Sequence, residues 1–251
     1  MQTEQSVARR GQFNQREYRV TARIIGVLYL AGMAIGIPGN IVIQSVLTAP
    51  GGLAAIAAGS MLLAAGVVCW LATVAGDAAH GVLMFPVLKR HSERAAVGYL
   101  AARIIDATFI AVMALLIMIQ IPIGAAYVAA GTADTSYLQA LSMVLTDANL
   151  YAYDFAMTTL GVSGLILCTA LLRTHLIPRP LAVWGLAGYA VILLGSVLQL
   201  FGLNLISIHS LPGGLWEVFI GVWLIVKGFE PPEPTLATSS HEPSRLATTT
   251  I

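Results

Sequence analysis

Charge is what this sequence has least of. Charged residues make up 10% of 251, against roughly 25% in soluble domains. With 57% hydrophobic residues and a mean hydropathy of +0.82, that shortage excludes an ordinary soluble domain and points to a membrane protein. Cysteine is nearly absent. Cys69 and Cys168 both sit in apolar runs, with no CxxC and no Cys/His cluster, so neither a disulfide framework nor a metal site is suggested. There is no phosphate-cradling glycine loop or nucleotide motif, so nothing calls for a cofactor or a nucleic acid. No A-x-A site follows the first apolar run, which is therefore expected to stay in the membrane as an anchor. No internal repeat stands out.

What is present is a series of apolar runs. A helix needs roughly 20 apolar residues to cross a bilayer. Six stretches qualify, at about 24–46, 53–88, 104–124, 151–172, 181–203 and 212–227. The expected fold is all-α, a bundle of six transmembrane helices. Pro38-Gly39-Asn40 predicts a kink or early unwinding in the first. The second is expected as one continuous helix whose last turns are amphipathic. The loop 125–150 is the only sizeable one, with a short surface helix over 136–145. The last run is the weakest span, just under the usual ~17–25 residues, crossing either where the bilayer is thin or with 205–211 as a non-helical lead-in. A basic polar leader (1–23) precedes the transmembrane domain (24–229). The Pro-, Ser- and Thr-rich tail (230–251) is expected to be disordered.

The few charges are sorted by side. With six spans and a cytoplasmic N-terminus, all 13 basic residues fall on the inner side. The outer loops hold Asp134 and Asp147 but no Lys or Arg. By the positive-inside rule, both termini are expected in the cytoplasm of a plasma (inner) membrane crossed several times.

Three stretches carry a likeness: Ala-Arg-Ile-Ile-Gly-Val-Leu-Tyr-Leu at 22–30, Leu-Ile-Pro-Arg-Pro-Leu-Ala at 176–182, and Glu217 with Trp-Leu-Ile-Val-Lys-Gly-Phe at 223–229. On these the chain resembles the bacterial multi-pass membrane proteins catalogued as domain of unknown function 4386. Arg103-Ile-Ile-Asp-Ala107 is similar to the start of that family's third segment. The resemblance implies an integral membrane protein and no particular activity.

An ionisable residue within a span is a functional hypothesis by default. The expected depths sort these residues into two tiers. Near the inner face, Arg103 and Asp106 are three apart, as are Asp77 and His80, so each pair shares a helix face. Arg23 lies at similar depth, and the five read as a structural ion-pair cluster. In the outer half, Asp154 and Glu217 have no basic residue at their depth. Asn40, Gln44, Gln199, Asn204 and Tyr151 are within reach of them. A pocket built on Glu217, Asp154, Asn40 and Gln199 would suit a proton, a cation or a small polar ligand, in a transporter-like or sensor-like protein. The bland alternative is interhelical hydrogen bonding by neutral carboxyls, worth about 0.6–2 kcal/mol per contact. Another is a non-catalytic scaffold that packs on a protein partner, whose identity the sequence leaves open. A remote third is an intramembrane hydrolase. Gly161-Val-Ser-Gly164 looks like a rhomboid nucleophile motif, but segment six has no His to serve as base. Small residues at that spacing, and Gly32-x-x-x-Gly36, are ordinary helix-contact positions.

Overall fold

A computed structural model describes residues 2–203 and 208–230, with side chains from Tyr18 onward. The tail beyond Glu230 and Asn204 lie outside the described residues. Among the described residues the chain is helical throughout: α1 (Gln2–Leu47), α2 (Leu53–Ala58), α3 (Ser60–Lys89), α4 (Glu93–Ala129), α5 (Ser136–Thr174), α6 (Arg179–Leu200), a 3-10 turn (Ile208–Ser210) and α7 (Leu211–Val226). Six helices are long and apolar enough to cross a membrane, the sixth once the 3-10 turn extends it to 19 residues, Ile208–Val226.

α1 begins at Gln2, inside the polar leader, and the expected non-helical lead-in to the last span is a 3-10 turn over Ile208–Ser210. Four further differences each have a local reason. α1 stays helical through Pro38. Gly39 there packs against Cys69 and Gly66 of α3, and such neighbours help a membrane helix tolerate a proline. The second run breaks at Gly59, giving α2 and α3 instead of one helix. A Cβ on Gly59 would lie 2.8 Å from Val46 of α1, so the chain turns where only a hydrogen fits. α4 begins well before the apolar run, at a Ser92 cap whose Oγ accepts from the Ala95 amide at 3.2 Å, a standard N-cap bond. Finally, the surface helix and the fourth span are one 39-residue helix. Its polar start is held on α4: the Gln120 amide nitrogen donates to the Ser142 carbonyl at 3.1 Å, the Ser142 hydroxyl to Gln120 Oε1 at 2.8 Å, and Asn149 Nδ2 to the Met113 carbonyl at 3.0 Å.

The loop before α5 is thereby reduced to a short turn. In it Asp134 accepts from the Ser136 amide at 2.9 Å. That bond holds the carboxyl below its ordinary range, so the turn contact is complete at neutral pH and is lost as the pH falls through the lowered value.

The six long helices pack in a ring: α1 against α3, α3 against α4, α4 against α5, α5 against α6, α6 against α7, and α7 back on α1. Small residues permit the closest approaches. A Cβ on Gly221 of α7 would lie 3.2 Å from the Gly26 carbonyl oxygen of α1. Two buried clusters hold the bundle. One, around Ile25, Met84, Leu171, Trp216 and Leu224, lies toward the arginine-rich end. The other, around Ile43, Leu63, Ile117 and Ala152, lies toward the opposite end. Large apolar side chains such as Met61, Val68, Val82 and Val226 face outward, as helices bordering lipid require. A polar chamber separates the two clusters.

Candidate functional site

The chamber is a cavity of about 400 Å³ enclosed by α1, α3, α4, α5 and α7. Its polar lining comes chiefly from four helices: Asn40 from α1, Asp77 and His80 from α3, Arg103 and Asp106 from α4, and Glu217 from α7. Tyr29, Trp70, Met113, Tyr153 and Met157 supply aromatic and apolar wall.

Arg103 is the electrostatic centre. It donates through one terminal nitrogen to Asp77 and through the other to Asp106 Oδ2, the latter at 3.2 Å. The guanidinium and Asp106 are both buried, and Asp77 is only slightly exposed. Pairing makes this burial tolerable. His80 joins by a 2.6 Å hydrogen bond between its Nδ1 and the Tyr99 hydroxyl, and the Tyr29 ring meets it edge-on with centroids 4.4 Å apart. Three buried polar atoms of this group have no hydrogen-bond partner: His80 Nε2, Arg103 Nε and Asp106 Oδ1. Native interiors leave few such atoms, and a bound group is one way to satisfy them.

Glu217 faces the same chamber. The Tyr189 hydroxyl of α6 donates to its Oε1 at 2.8 Å. Its neighbour Trp216 is fully buried and donates Nε1–H to the Leu181 carbonyl at 2.7 Å. That bond pins α7 to the first turn of α6, and so fixes where Glu217 points. Tyr189→Phe keeps the ring and deletes the hydroxyl. It is expected to cost about 1 kcal/mol of stability and to shift the carboxyl stretch of Glu217 in infrared difference spectra; an unchanged stretch would mean the bond is not made.

The chamber redraws the two tiers. Glu217 shares one space with Asp77, His80, Arg103 and Asp106, whereas the sequence places it in a separate outer tier. Helix length is the reason. α4 starts about ten residues before Arg103, and α3 runs about twelve residues past Asp77. At a rise of 1.5 Å per residue each lies roughly 15–18 Å from its helix end. Glu217 is about as far from the end of α7, so all these groups meet in mid-bundle. Asn40 is exposed and lines the chamber. Gln44, Tyr151 and Arg23 are exposed and do not line it.

Asp154 and Gln199 lie outside the chamber. Asp154 is buried, and the titratable group that acts on it is the imidazole of His209. His209 Nε2 is 3.3 Å from the Ser196 hydroxyl. Asp154 Oδ1, Gln199 Oε1 and His209 Nδ1 are buried without hydrogen-bond partners. This second group touches the chamber through Tyr153, which lines it and whose hydroxyl is 3.3 Å from Ser210 Oγ.

The serine motif is a packing device. The Ser163 hydroxyl donates to the Leu160 carbonyl of its own helix at 2.8 Å. Gly161 and Gly164 receive Leu193 and Tyr189 of α6. Gly32 has a different role from the one its spacing suggests: a Cβ there meets nothing within 4 Å, and the residue gives the chamber room. Tyr29, Tyr99 and Tyr189 carry no sequence signal, because a tyrosine in an apolar run looks like core.

A family model described as Domain of unknown function (DUF4386) matches residues 24–228. No curated protein and no solved structure gives a match.

Proposed function

The chain belongs to the DUF4386 family, and from its own cavity we propose that this integral membrane protein binds a proton or small cation in the mid-bundle chamber, as part of a transporter-like cycle. One observation carries this reading: three carboxyls, Asp77, Asp106 and Glu217, face a chamber holding one guanidinium. Arg103 bridges two of them, while Glu217 is hydrogen-bonded by a neutral hydroxyl. In a low-dielectric interior an uncompensated carboxylate is costly. A proton or a bound cation supplies the missing positive charge. Asn40 offers a neutral amide where the chamber meets the surface. The carriers of charge are thus Glu217 and the Asp77–Arg103–Asp106 group, with Asp154 and Gln199 in a separate cluster. The side-sorted arginines support an orientation with both termini in the cytoplasm of a plasma membrane.

The test uses proteoliposomes carrying pyranine, given an inward gradient of sodium or methylammonium. Native protein should couple cation entry to a change of internal pH. Glu217→Gln should slow it by about tenfold or more, the effect of one charged contact worth ~1.4 kcal/mol. Equal rates in the two proteins, or no flux in either, removes this mechanism.

A further inference from the structure

We infer that the chamber's ligand is an amphiphilic organic ammonium ion, with an apolar body of several carbons, that reaches the site from within the bilayer. The inference rests on the cation-binding reading above and names the class of cation.

The lining combines two chemistries. Asp77, Asp106 and Glu217 supply acids from α3, α4 and α7. Leu28, Met33, Ile37 and Ile41 of α1, with Met157 and Leu160 of α5, make an aliphatic wall. A bare metal ion would use the first and leave the second in contact with nothing; among the described residues no group of three or more His, Cys, Asp or Glu side chains is placed to hold a metal. A cavity of about 400 Å³ is also far larger than an alkali cation needs and falls in the usual ~300–1,000 Å³ range of small-molecule sites. Tyr29 and Trp70 on the wall suit an ammonium group, which aromatic faces attract.

The mouth points the same way. Ile37 and Ile41 line the cavity yet are 55% and 62% exposed. Both belong to the apolar run of the first span, so the opening faces hydrocarbon. An amphiphile dissolved in the bilayer enters there, head first, toward Glu217 and Asp77. Gly32 and Gly76, where a Cβ meets nothing within 4 Å, leave space for its body.

Calorimetric titration of the full chain in lipid nanodiscs, with empty nanodiscs as the partition blank, decides the matter. The probes are sodium, methylammonium, butylammonium, hexylammonium, hexanol and hexyl sulfate. Affinity in the ammonium series should rise by about fourfold per methylene until the cavity is full. Hexanol should bind at least tenfold more weakly than hexylammonium, and hexyl sulfate not at all. Glu217→Gln should weaken hexylammonium about tenfold and leave hexanol unchanged. Gly32→Leu should remove both, and Gly76→Leu serves as a second filled variant if the first folds poorly. Sodium or methylammonium binding as tightly as hexylammonium would overturn this inference and leave the cation site standing. Hexanol matching hexylammonium would overturn both. With no binding by any ammonium ion this inference fails, and the proteoliposome flux then judges the other alone.

Discussion

Arg103→Ala is expected to destabilise the protein by about 3–5 kcal/mol, the usual penalty for removing one partner of a buried ion pair. The loss comes from what remains. Asp106, 1% exposed, and Asp77 would face each other across the chamber with no cation between them. Denaturant titration in mixed micelles, followed by tryptophan emission, measures the cost. Arg103→Lys should recover only part, since a single ammonium cannot reproduce a fork that serves two carboxylates. The diagnostic variant is Arg103→Met combined with Asp77→Asn and Asp106→Asn. Removing all three charges together should restore most of the stability, because a buried ion cluster replaced by neutral groups of similar size is often close to neutral in cost. If Arg103→Ala unfolds within about 0.5 kcal/mol of native, the cluster is not the keystone its burial implies.

Gly164→Leu should be comparably severe. Tyr189 of α6 occupies the space where a Cβ on Gly164 would lie, and Tyr189 is almost fully buried. Overpacking of a tight core costs about 1–3 kcal/mol, and more where backbone must part. The displaced ring also carries the hydroxyl that reaches Glu217, so the same substitution should weaken cation binding in the chamber. Ser163→Ala, one residue away, should stay within about 0.5 kcal/mol, because it deletes only a bond to its own helix. Folded yield and unfolding midpoint of the pair separate a contact motif from a nucleophile. A serine variant that lost function while keeping its fold would reverse the assignment.

The number of spans was legible because most apolar runs are long and the basic residues fall in every second break between them. The site was legible only in part. Arg103 and Asp106 stand three apart on α4, so their meeting follows from helix geometry, and the closeness of Asp77 required only that α3 and α4 be neighbours. The depth of these groups was not legible. Hydropathy marks where side chains become apolar, whereas α4 starts at its Ser92 cap, and the amphipathic turns between the two positions push Arg103 toward the middle. The same gap hid the fusion of 136–145 with the fourth span. The tie between Glu217 and Tyr189 depends on which helices adjoin in the ring, and no residue spacing encodes that. Asp154 illustrates the converse. It was legible as an acid with no basic residue at its depth in any segment, but the imidazole that acts on it, His209, sits on the 3-10 turn, which has no periodic signature.

The packing beside the chamber has a consequence for release. Beside Tyr29 and His80 lies a small space of about 10 Å³ lined by Ile25, Met84, Leu167, Leu171, Ile220 and Phe229. That volume admits at most about one water molecule. Phe229 is held across it by the backbone bond from Glu230 to the Leu176 carbonyl at 2.8 Å and by the edge of Tyr18. On the proposed cation-binding reading, this apolar packing stands between the chamber's acids and the arginine-rich end. On that reading, release toward that side is expected to begin with displacement of the Phe229 ring, which makes the turn 227–230 the place to look for the limiting movement.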